Sequence, residues 1–520
     1  MANTSLFQSL RGALLPRTDA VNQEGAPAYA YEPRHKLAQL AVTGCLNQTF
    51  YADAEAQLSN VLALTKDIDP AFVAKCAIYA RERGMKDMPA VLLATLSVNQ
   101  PDLMVRVFDR VVDNGKMLRG FVQVMRSGQV WRKSLGSRPK ALVANWLNSA
   151  SVEALLKASV GQSPSLADVI KMVHPKPRDA ERAALFAWLI GRPYDVAALP
   201  EIVRAYEAFK SDAQGALGGE MPDVPFQMLT QLPLSREQWA VLAKRGGWQM
   251  LRMNLNTFAR HGVYEVSGMT ALIAKRLSDG TEIRKARVLP YQLLIASLMA
   301  GEEIPHVVRK ALGRALEIAI ANVPALDQRI VVCPDVSGSM QCAVTGHRKG
   351  STSKVRCIDV AALVAAAFLR RNVEARVQPF ENRVVNIRLS AADEVVANAV
   401  KLASVGGGGT NCSAPLAQLN AERAKVDLVV FVSDNQSWVD ATRSGDTGLM
   451  REWASLKARN PKAKLVCIDL QPYGTVQAAE RPDVLNVGGF SDAVFQVVAD
   501  FATGEIGADH WVGKIEAVEL

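Results

Sequence analysis

The 520-residue chain contains no uninterrupted run of about 20 apolar residues, the length that a membrane-spanning helix requires. Its seven cysteines include no C-x-x-C pair, and an odd number of cysteines cannot all be joined in disulfides. The first residues carry neither the basic start nor the apolar core of a secretory signal. These absences argue against a membrane protein, a disulfide framework and a zinc site. We therefore expect free thiols in a cytoplasmic protein.

Acidic residues are unevenly distributed, and one long stretch has none. Residues 1–325 contain 39 Lys and Arg against 29 Asp and Glu, a balance of +10, whereas residues 326–520 contain 21 against 22. No acidic residue occurs between residues 114 and 152. Such an asymmetry between two parts of a chain indicates a polyanionic partner, most often nucleic acid.

The acid-free stretch and a short segment behind it supply candidate contacts to RNA. Trp131 could stack on a base, whereas the spacing of Trp146 to its apolar neighbours predicts a core position. A solvated basic face is the alternative for an isolated run of this kind. Basic side chains on adjacent helices can instead converge and bind phosphates with little sequence preference. The basic residues of the stretch are Lys116, Arg119, Arg126, Arg132, Lys133, Arg138 and Lys140, and the second segment adds His174 and Lys176.

The first part of the chain reads as a succession of helices. From about residue 36 to residue 321, apolar residues recur three and four positions apart. Asp, Ser or Pro stands at the joins, as at Asp69-Pro70 and Asp179, and predicts helix starts. Short helices with short connections favour stacked antiparallel pairs, an α-solenoid of the HEAT or armadillo kind.

After residue 325 the pattern changes to strands that alternate with helices. Strands are expected near residues 329–334, 373–380, 426–433 and 464–470, with a further short strand at 383–389. This alternation predicts a doubly wound α/β domain with a mostly parallel sheet. Residues 504–520 show no clear element. We divide the chain into a helical-repeat domain at 1–325, an α/β domain at 326–505 and a C-terminal tail at 506–520.

Five oxygen-bearing side chains follow or connect the predicted strands of the α/β domain. Asp335, Ser337 and Ser339 come after the first strand, Thr410 follows four consecutive glycines, and Asp434 ends the strand at 426–433. Ligands of parallel sheets bind beyond the carboxyl ends of the strands, so these loops should converge. Two carboxylates and three hydroxyls suit Mg²⁺, or Mn²⁺, better than Zn²⁺. The sequence thus predicts a divalent-metal site with a position open to an outside carboxylate.

Other chemistries fit these loops poorly. The glycines are not followed by Lys-Ser or Lys-Thr, so they do not form a phosphate-binding P-loop. The chain has no G-x-S-x-G element of a serine hydrolase. A lone metal could activate water, but no general base is evident beside it. We expect a binding protein and no enzyme, with a metal-dependent hydrolase as an alternative.

The loops resemble the metal-ion-dependent adhesion site (MIDAS) of von Willebrand factor A domains. By that resemblance Ser337, Ser339 and Thr410 touch the ion, and Asp335 and Asp434 act directly or through water. Segments of the whole chain, in the right order, also resemble the Ro autoantigen family, with a TROVE module before the A domain, and a bacterial, Ro-sixty-related member in particular. These segments are KSLGSRPKALVANW (133–146), VHPKP (173–177), RKARVLPY (284–291), DVSGSM (335–340) and GGTNCSAP (408–415).

The resemblance implies a ring of HEAT-like repeats closed by the A domain. It also implies binding of single-stranded 3′ ends of misfolded or unprocessed noncoding RNA, of Y RNAs and of rRNA precursors. Lys140 and His174 match family positions that contact RNA. The expected protein partner is a 3′ exoribonuclease such as polynucleotide phosphorylase, in RNA quality control and maturation. We expect a monomer with no membrane partner.

One alternative dispenses with RNA altogether. In it, the chain is a metal-dependent adhesion or scaffold module whose ion grips an Asp or Glu of a partner protein.

Overall fold

The computed structural model describes residues 17–520 apart from residues 44–45, 48, 50, 162, 212–219, 287, 289, 322, 345, 347–354, 439–444, 490–492 and 508–509. The chain forms two compact units. The α/β unit comprises residues 1–58, 289–295 and 316–513, and the helical unit comprises residues 59–288, 296–315 and 514–520. The boundaries that we drew from the sequence remain predictions. The two units divide the chain differently, because the N-terminal residues belong with the α/β unit.

Helices dominate the described residues. In chain order they are α1 (Pro33–Thr43), α2 (Ala54–Asp67), α3 (Pro70–Glu82), α4 (Asp87–Asn99), α5 (Pro101–Val111), α6 (Gly115–Arg126), α7 (Ser137–Ser149), α8 (Val152–Ser159), α9 (Leu166–Val173), α10 (Ala180–Leu189), α11 (Glu201–Ser211), α12 (Phe226–Leu229), α13 (Arg236–Arg245), α14 (Trp248–Met253), α15 (Leu255–Arg260), α16 (Met269–Leu277), α17 (Gly280–Ala286), α18 (Pro290–Met299), α19 (His306–Ile320), α20 (Cys357–Arg371), α21 (Val395–Ala403), α22 (Ala414–Ala421), α23 (Gly448–Arg459), α24 (Ala493–Thr503) and α25 (His510–Glu516). The strands are β1 (Ala20–Val21), β2 (Pro27–Ala30), β3 (Ile330–Pro334), β4 (Arg376–Val377), β5 (Leu428–Ser433), β6 (Lys464–Asp469), β7 (Thr475–Val476) and β8 (Val484–Gly488).

Local capping signals start several helices of the helical unit where the sequence predicts. The Asp69 carboxylate accepts a hydrogen bond from the backbone N–H of Ala71 before α3, and Asp179 caps α10. Each helix from α3 to α7 packs against the next helix or the one after it, as α3 does with α4 and α5. This local packing confirms the predicted stacking of short helices.

The α/β unit is built on a five-stranded sheet in the order β4-β3-β5-β6-β8, and every neighbouring pair is parallel. Strands β3, β5 and β8 are buried along their whole length, as expected for a parallel sheet covered on both faces. Helix α20 packs against β3 through a long apolar run. The predicted fold class, a helical-repeat region with a doubly wound α/β domain, is confirmed.

Three details differ from the expectations. Residues 383–389 form no strand, and only a single bridge joins Phe380 to Val384, because the segment is largely solvent-accessible and has no neighbouring strand to complete a ladder. Strand β8 and helix α25 were missed. The first described residues form a hairpin, β1 and β2, that pairs with β7 in a second small sheet.

The last residues belong to the helical unit. The Lys75 ammonium lies 3.4 Å from the carboxylate of Glu516, and the Arg106 guanidinium donates to the backbone carbonyl of Leu520 at 2.9 Å.

No described helix is long and apolar enough to span a membrane. None of the six described cysteines takes part in a disulfide, as predicted, and Cys45 lies outside the described residues.

Candidate metal centre and basic helical surface

The register of two adjacent strands brings the predicted metal residues together. Pro334 of β3 lies opposite Val432 of β5, so Asp335 is level with Ser433, and Asp434 follows one residue later at the carboxyl edge of the sheet. The backbone N–H of Asp335 donates to the carbonyl of Val432 at 2.9 Å and extends the ladder by one residue. The convergence expected from the strand ends is therefore observed.

The glycine-rich loop closes over the first of these turns. The N–H of Gly407 donates to the carbonyl of Val336 at 2.8 Å, and the N–H of Gly338 donates to the carbonyl of Gly408 at 2.8 Å. Gly406 has a φ of +89°, and a Cβ at this position would lie 2.2 Å from the Val336 oxygen. Only glycine can approach the turn so closely. The loop then presents Thr410, whose carbonyl accepts the Trp438 N–H at 3.3 Å.

All five predicted side chains are buried, and the serines and aspartates form a polar network. Asp335 is 0% and Asp434 1% exposed. The two oxygens of Asp335 accept from the Ser337 N–H at 2.8 Å and from the Ser433 hydroxyl at 2.6 Å. The Ser337 and Ser339 hydroxyl oxygens lie 3.3 Å apart. These contacts fix the orientation of the Asp335 carboxylate and keep the Ser337 and Ser339 hydroxyls close to each other.

The electrostatics of the cluster favour a cation. Burial raises the pKa of Asp335, and the negative charge of Asp434 raises it further. Burial is also the main cause that raises the pKa of Asp434. Two adjacent buried carboxylates are unfavourable when both are ionised, and a divalent ion would compensate them. The donor set of two carboxylates and three hydroxyls fits Mg²⁺ or Mn²⁺. Clusters of three or more His, Cys, Asp or Glu suited to a metal are absent from the described part of the chain.

Two residues beside the cluster were not singled out from the sequence. The Ser433 hydroxyl donates to Asp335, and Ser433 directly precedes Asp434. Its place at the end of the same strand could have identified it from the sequence. Asp469 ends β6, the strand next to β5, and is fully buried. Burial and the charge of Asp434 raise its pKa, and one of its oxygens has no hydrogen-bond partner. A strand-terminal Asp on the next parallel strand is the same kind of signal that identified Asp434.

The predicted RNA contacts lie on neighbouring elements of the helical unit. Helix α9 packs against both α6 and α7. The Arg126 guanidinium of α6 contacts the Met172 sulfur of α9, and the Asn148 amide at the end of α7 donates to the Lys176 carbonyl at 2.9 Å. The exposed members of the predicted set are Lys116, Arg126, Lys133, Arg138, Lys140, His174 and Lys176.

The remaining two arginines of the set are half-buried and bind backbone carbonyls. Arg119 donates to the carbonyl of Val160 at 2.8 Å, just after α8, and burial lowers its pKa. Arg132 donates to the carbonyl of Ser97 at 3.0 Å. Their guanidinium groups therefore bind carbonyls at helix ends and also add positive charge to the surface. Arg138 is exposed but pairs with Asp102 at 2.7 Å.

His174 and Trp131 occupy strained or exposed turns. His174 ends α9 in the left-handed conformation, with φ of 50°, and its side chain is exposed. Trp131 also has a positive φ and is 45% exposed, with the Lys66 ammonium 4.7 Å from its ring centroid. In the segment 284–291, residues 287 and 289 lie outside the described residues.

Comparison with known proteins shows a matching family model and similar whole proteins. The "Ro60 vWA domain" family model matches residues 329–502. The RNA-binding protein RO60 of Deinococcus radiodurans is 25% identical over 518 residues, which cover 93% of this chain and 95% of the relative. The RNA-binding protein RO60 of Caenorhabditis elegans is 24% identical over 245 residues, 45% of this chain and 37% of that protein.

The fold matches a solved structure as well. The crystal structure of the Deinococcus radiodurans RO (RSR) protein aligns with a TM-score of 0.65 at 23% identity and covers 91% of this chain and 100% of that chain. Similarity thus extends through both units. The chain is similar to the Ro60 proteins over nearly its whole length, and its residues 329–502 match the Ro60 vWA domain.

Proposed function

We propose that the protein binds noncoding RNA through the helical unit. The observation that carries this proposal is the set of exposed basic residues on α6, on α7 and in the segment after α9, since α9 packs against both helices. Cationic side chains on adjoining elements suit the phosphate backbone, which dominates the affinity of nucleic acids for proteins. The names of the relatives, each an RNA-binding protein, agree with this proposal.

The proposed ligands are Y RNAs and single-stranded 3′ ends of misfolded or unprocessed RNA, including rRNA precursors. The resemblance to the Ro family supports this finer statement, as do Lys140 and His174, which are exposed. An unpaired end can lay its backbone and bases against a narrow basic surface, and exposed Trp131 offers a stacking platform. The proposed setting is cytoplasmic RNA quality control, with a monomeric, non-catalytic protein that hands RNA to a 3′ exoribonuclease.

Charge reversal at two exposed lysines tests RNA binding. In the double variant Lys133→Glu and Lys140→Glu, affinity for a 3′-tailed RNA should fall. The slope of log affinity against log salt should become shallower by roughly 0.7 per lost phosphate contact. The double variant Lys425→Glu and Lys462→Glu changes the net charge equally at exposed positions of the α/β unit and serves as the control. Equal losses in the two double variants would contradict a localised RNA site.

We further propose that the cluster at the carboxyl edge of the sheet binds a divalent metal, Mg²⁺ or Mn²⁺. The buried pair Asp335 and Asp434 supports this, since both carboxylates lie among hydroxyls in a setting that disfavours their negative charge. Ser337, Ser339 and Thr410 would supply neutral oxygen ligands. Incubation of labelled RNA with the protein and Mn²⁺ should leave the RNA intact. Cleavage that Asp335→Ala abolishes would instead establish a hydrolase.

The same metal site keeps one alternative open. A protein-adhesion module would grip an external carboxylate at the metal and bind no RNA. It predicts that RNA affinity is weak and the same in the Lys133 and Lys140 variants and in the control.

A further inference from the structure

The hairpin formed by β1 and β2 lies against the loop that follows Asp434 in the proposed metal site. Strand β2 pairs with β7, with Tyr29 opposite Val476, and so fixes the hairpin to the unit. The turn that joins β1 to β2 is closed by Asn22, whose side-chain oxygen accepts the N–H groups of Glu24 at 3.0 Å and Ala26 at 2.9 Å. The tip of the hairpin is therefore rigidly shaped.

Two contacts dock this tip on the segment that follows Asp434. The Asn22 amide donates to the backbone carbonyl of Ser437, and the backbone N–H of Gln23 donates to the side-chain oxygen of Gln436 at 2.9 Å. Asn22 is 6% exposed, although it lies in a turn near the start of the chain. The hairpin is thus seated on the loop that carries a predicted metal ligand.

Glu24 at the tip is linked to the cluster through Tyr51. The Tyr51 hydroxyl donates to a Glu24 carboxylate oxygen at 2.6 Å. The same hydroxyl forms a hydrogen bond with Ser339, and Asp434 is close enough for its charge to act on Tyr51. The Tyr51 ring packs edge-on against Tyr473 at 5.3 Å between centroids, which holds it in position. The charge of Glu24 in turn acts on Asp434.

The arrangement adds an exposed carboxylate, Glu24, to a region that already contains the buried Asp335, Asp434 and Asp469. The charge of Glu24 acts on Asp434, and this adds to the repulsion between Asp434 and Asp335. A divalent cation removes that repulsion and gives the three groups a common partner. Because the protein ligands supply only two carboxylates, a further one completes a hard-oxygen set.

We propose that Glu24 is an internal ligand of the metal, direct or through one water, held by Tyr51 at the position that an outside carboxylate would otherwise occupy. This inference rests on the proposed metal site. It makes the N-terminal hairpin part of the metal centre. A partner carboxylate would have to displace Glu24 before it could reach the ion.

Mn²⁺ binding to the full-length protein tests the proposal, with two readouts. Free Mn²⁺ measured by electron paramagnetic resonance gives the affinity, and the relaxation of water protons gives the number of waters on the bound ion. Glu24→Gln should weaken the affinity by about 10- to 100-fold, the range found when a supporting group of a metal site is lost. It should also raise the relaxation per bound ion. Tyr51→Phe should change both quantities in the same direction and by less.

Two further variants separate the possible failures. Glu505→Gln removes an exposed carboxylate elsewhere in the α/β unit and should leave both readouts unchanged. Asp335→Ala should abolish the site. If it does not lower Mn²⁺ binding, the proposed metal site itself is wrong. If Asp335→Ala abolishes binding while Glu24→Gln matches Glu505→Gln in both readouts, the metal site stands and Glu24 is not its ligand.

Discussion

A single methyl group in the glycine-rich loop should distort the proposed metal site. Gly406 and Gly407 both have positive φ angles, +89° and +114°, so alanine is strained at either position. They differ in the space that surrounds them. A Cβ at Gly406 would lie 2.2 Å from the Val336 carbonyl oxygen, whereas a Cβ at Gly407 would meet nothing within 4 Å. The pair therefore separates backbone strain from collision.

The collision sets the size of the difference. Strain from a positive φ costs about 1–2 kcal/mol in both variants. In Gly406→Ala the Val336 carbonyl must also move away, which breaks the 2.8 Å hydrogen bond from the Gly407 N–H. A buried hydrogen bond lost in this way costs about 1–3 kcal/mol. We expect Gly406→Ala to be about 2 kcal/mol less stable than Gly407→Ala.

The difference in stability between Gly406→Ala and Gly407→Ala is measured from the Tm of the α/β unit in each variant. For a unit of this size, about 2 kcal/mol corresponds to a Tm lower by roughly 4–8 °C. Val336 lies between the predicted ligands Asp335 and Ser337, so Gly406→Ala should also bind Mn²⁺ more weakly than Gly407→Ala does. Equal Tm values for the two variants would refute the view that close packing of Gly406 on Val336 shapes the loop.

Three further outcomes are expected at the two sites. Asp335→Ala should lower Mn²⁺ affinity by at least about 10-fold and leave the affinity for 3′-tailed RNA unchanged, since its partners lie in the α/β unit; a large loss of RNA binding in mobility-shift assays would show that the sites are coupled. Burial and the neighbouring Asp434 raise the pKa of Asp335, so protons compete with metal below that raised pKa, and Mn²⁺ affinity by calorimetry should be higher at about pH 8 than at about pH 6; equal affinities would mean that the carboxylate does not bind the ion. His174→Ala should lower the affinity for 3′-tailed RNA more than the affinity for blunt duplex RNA. Equal losses of affinity for the two RNAs would show that His174 does not recognise free 3′ ends.

Much of the polar cluster proposed to bind metal was predictable because its residues lie at strand ends. Asp335 and Asp434 directly follow β3 and β5, and the rule that parallel strands present their carboxyl ends at one edge brings them together. Asp469 satisfies the same rule on β6 and could have been included. The failed strand at 383–389 has alternating apolar residues, but pairing also depends on a neighbouring strand, which a local pattern does not reveal.

The hairpin that carries Glu24 gave no such signal. Its position depends on the pairing of Tyr29 with Val476 and on the docking of Asn22 on Ser437, contacts that span more than four hundred residues of the chain. Short strands of two and four residues have almost no periodicity to detect. Contacts of this range are set by the assembled sheet, so the contribution of Glu24 was visible only in the folded unit.

A count of basic residues in the sequence can locate a basic region, but it does not show which of those residues contact RNA. Arg119 and Arg182 carry the same charge as the exposed lysines, yet each is held among carbonyls at a helix end. Arg182 is 2% exposed and donates to the carbonyls of Leu147 at 3.3 Å and Ala150 at 2.7 Å, where α7 ends. A cation there satisfies carbonyls that the helix leaves without intrahelical partners and is favoured by the helix dipole. Arg182 therefore contributes to folding, whereas the half-buried Arg119 stays a predicted RNA contact. The exposed cations of the set are Lys116, Arg126, Lys133, Arg138, Lys140 and Lys176, and we expect the salt dependence of RNA binding to follow them.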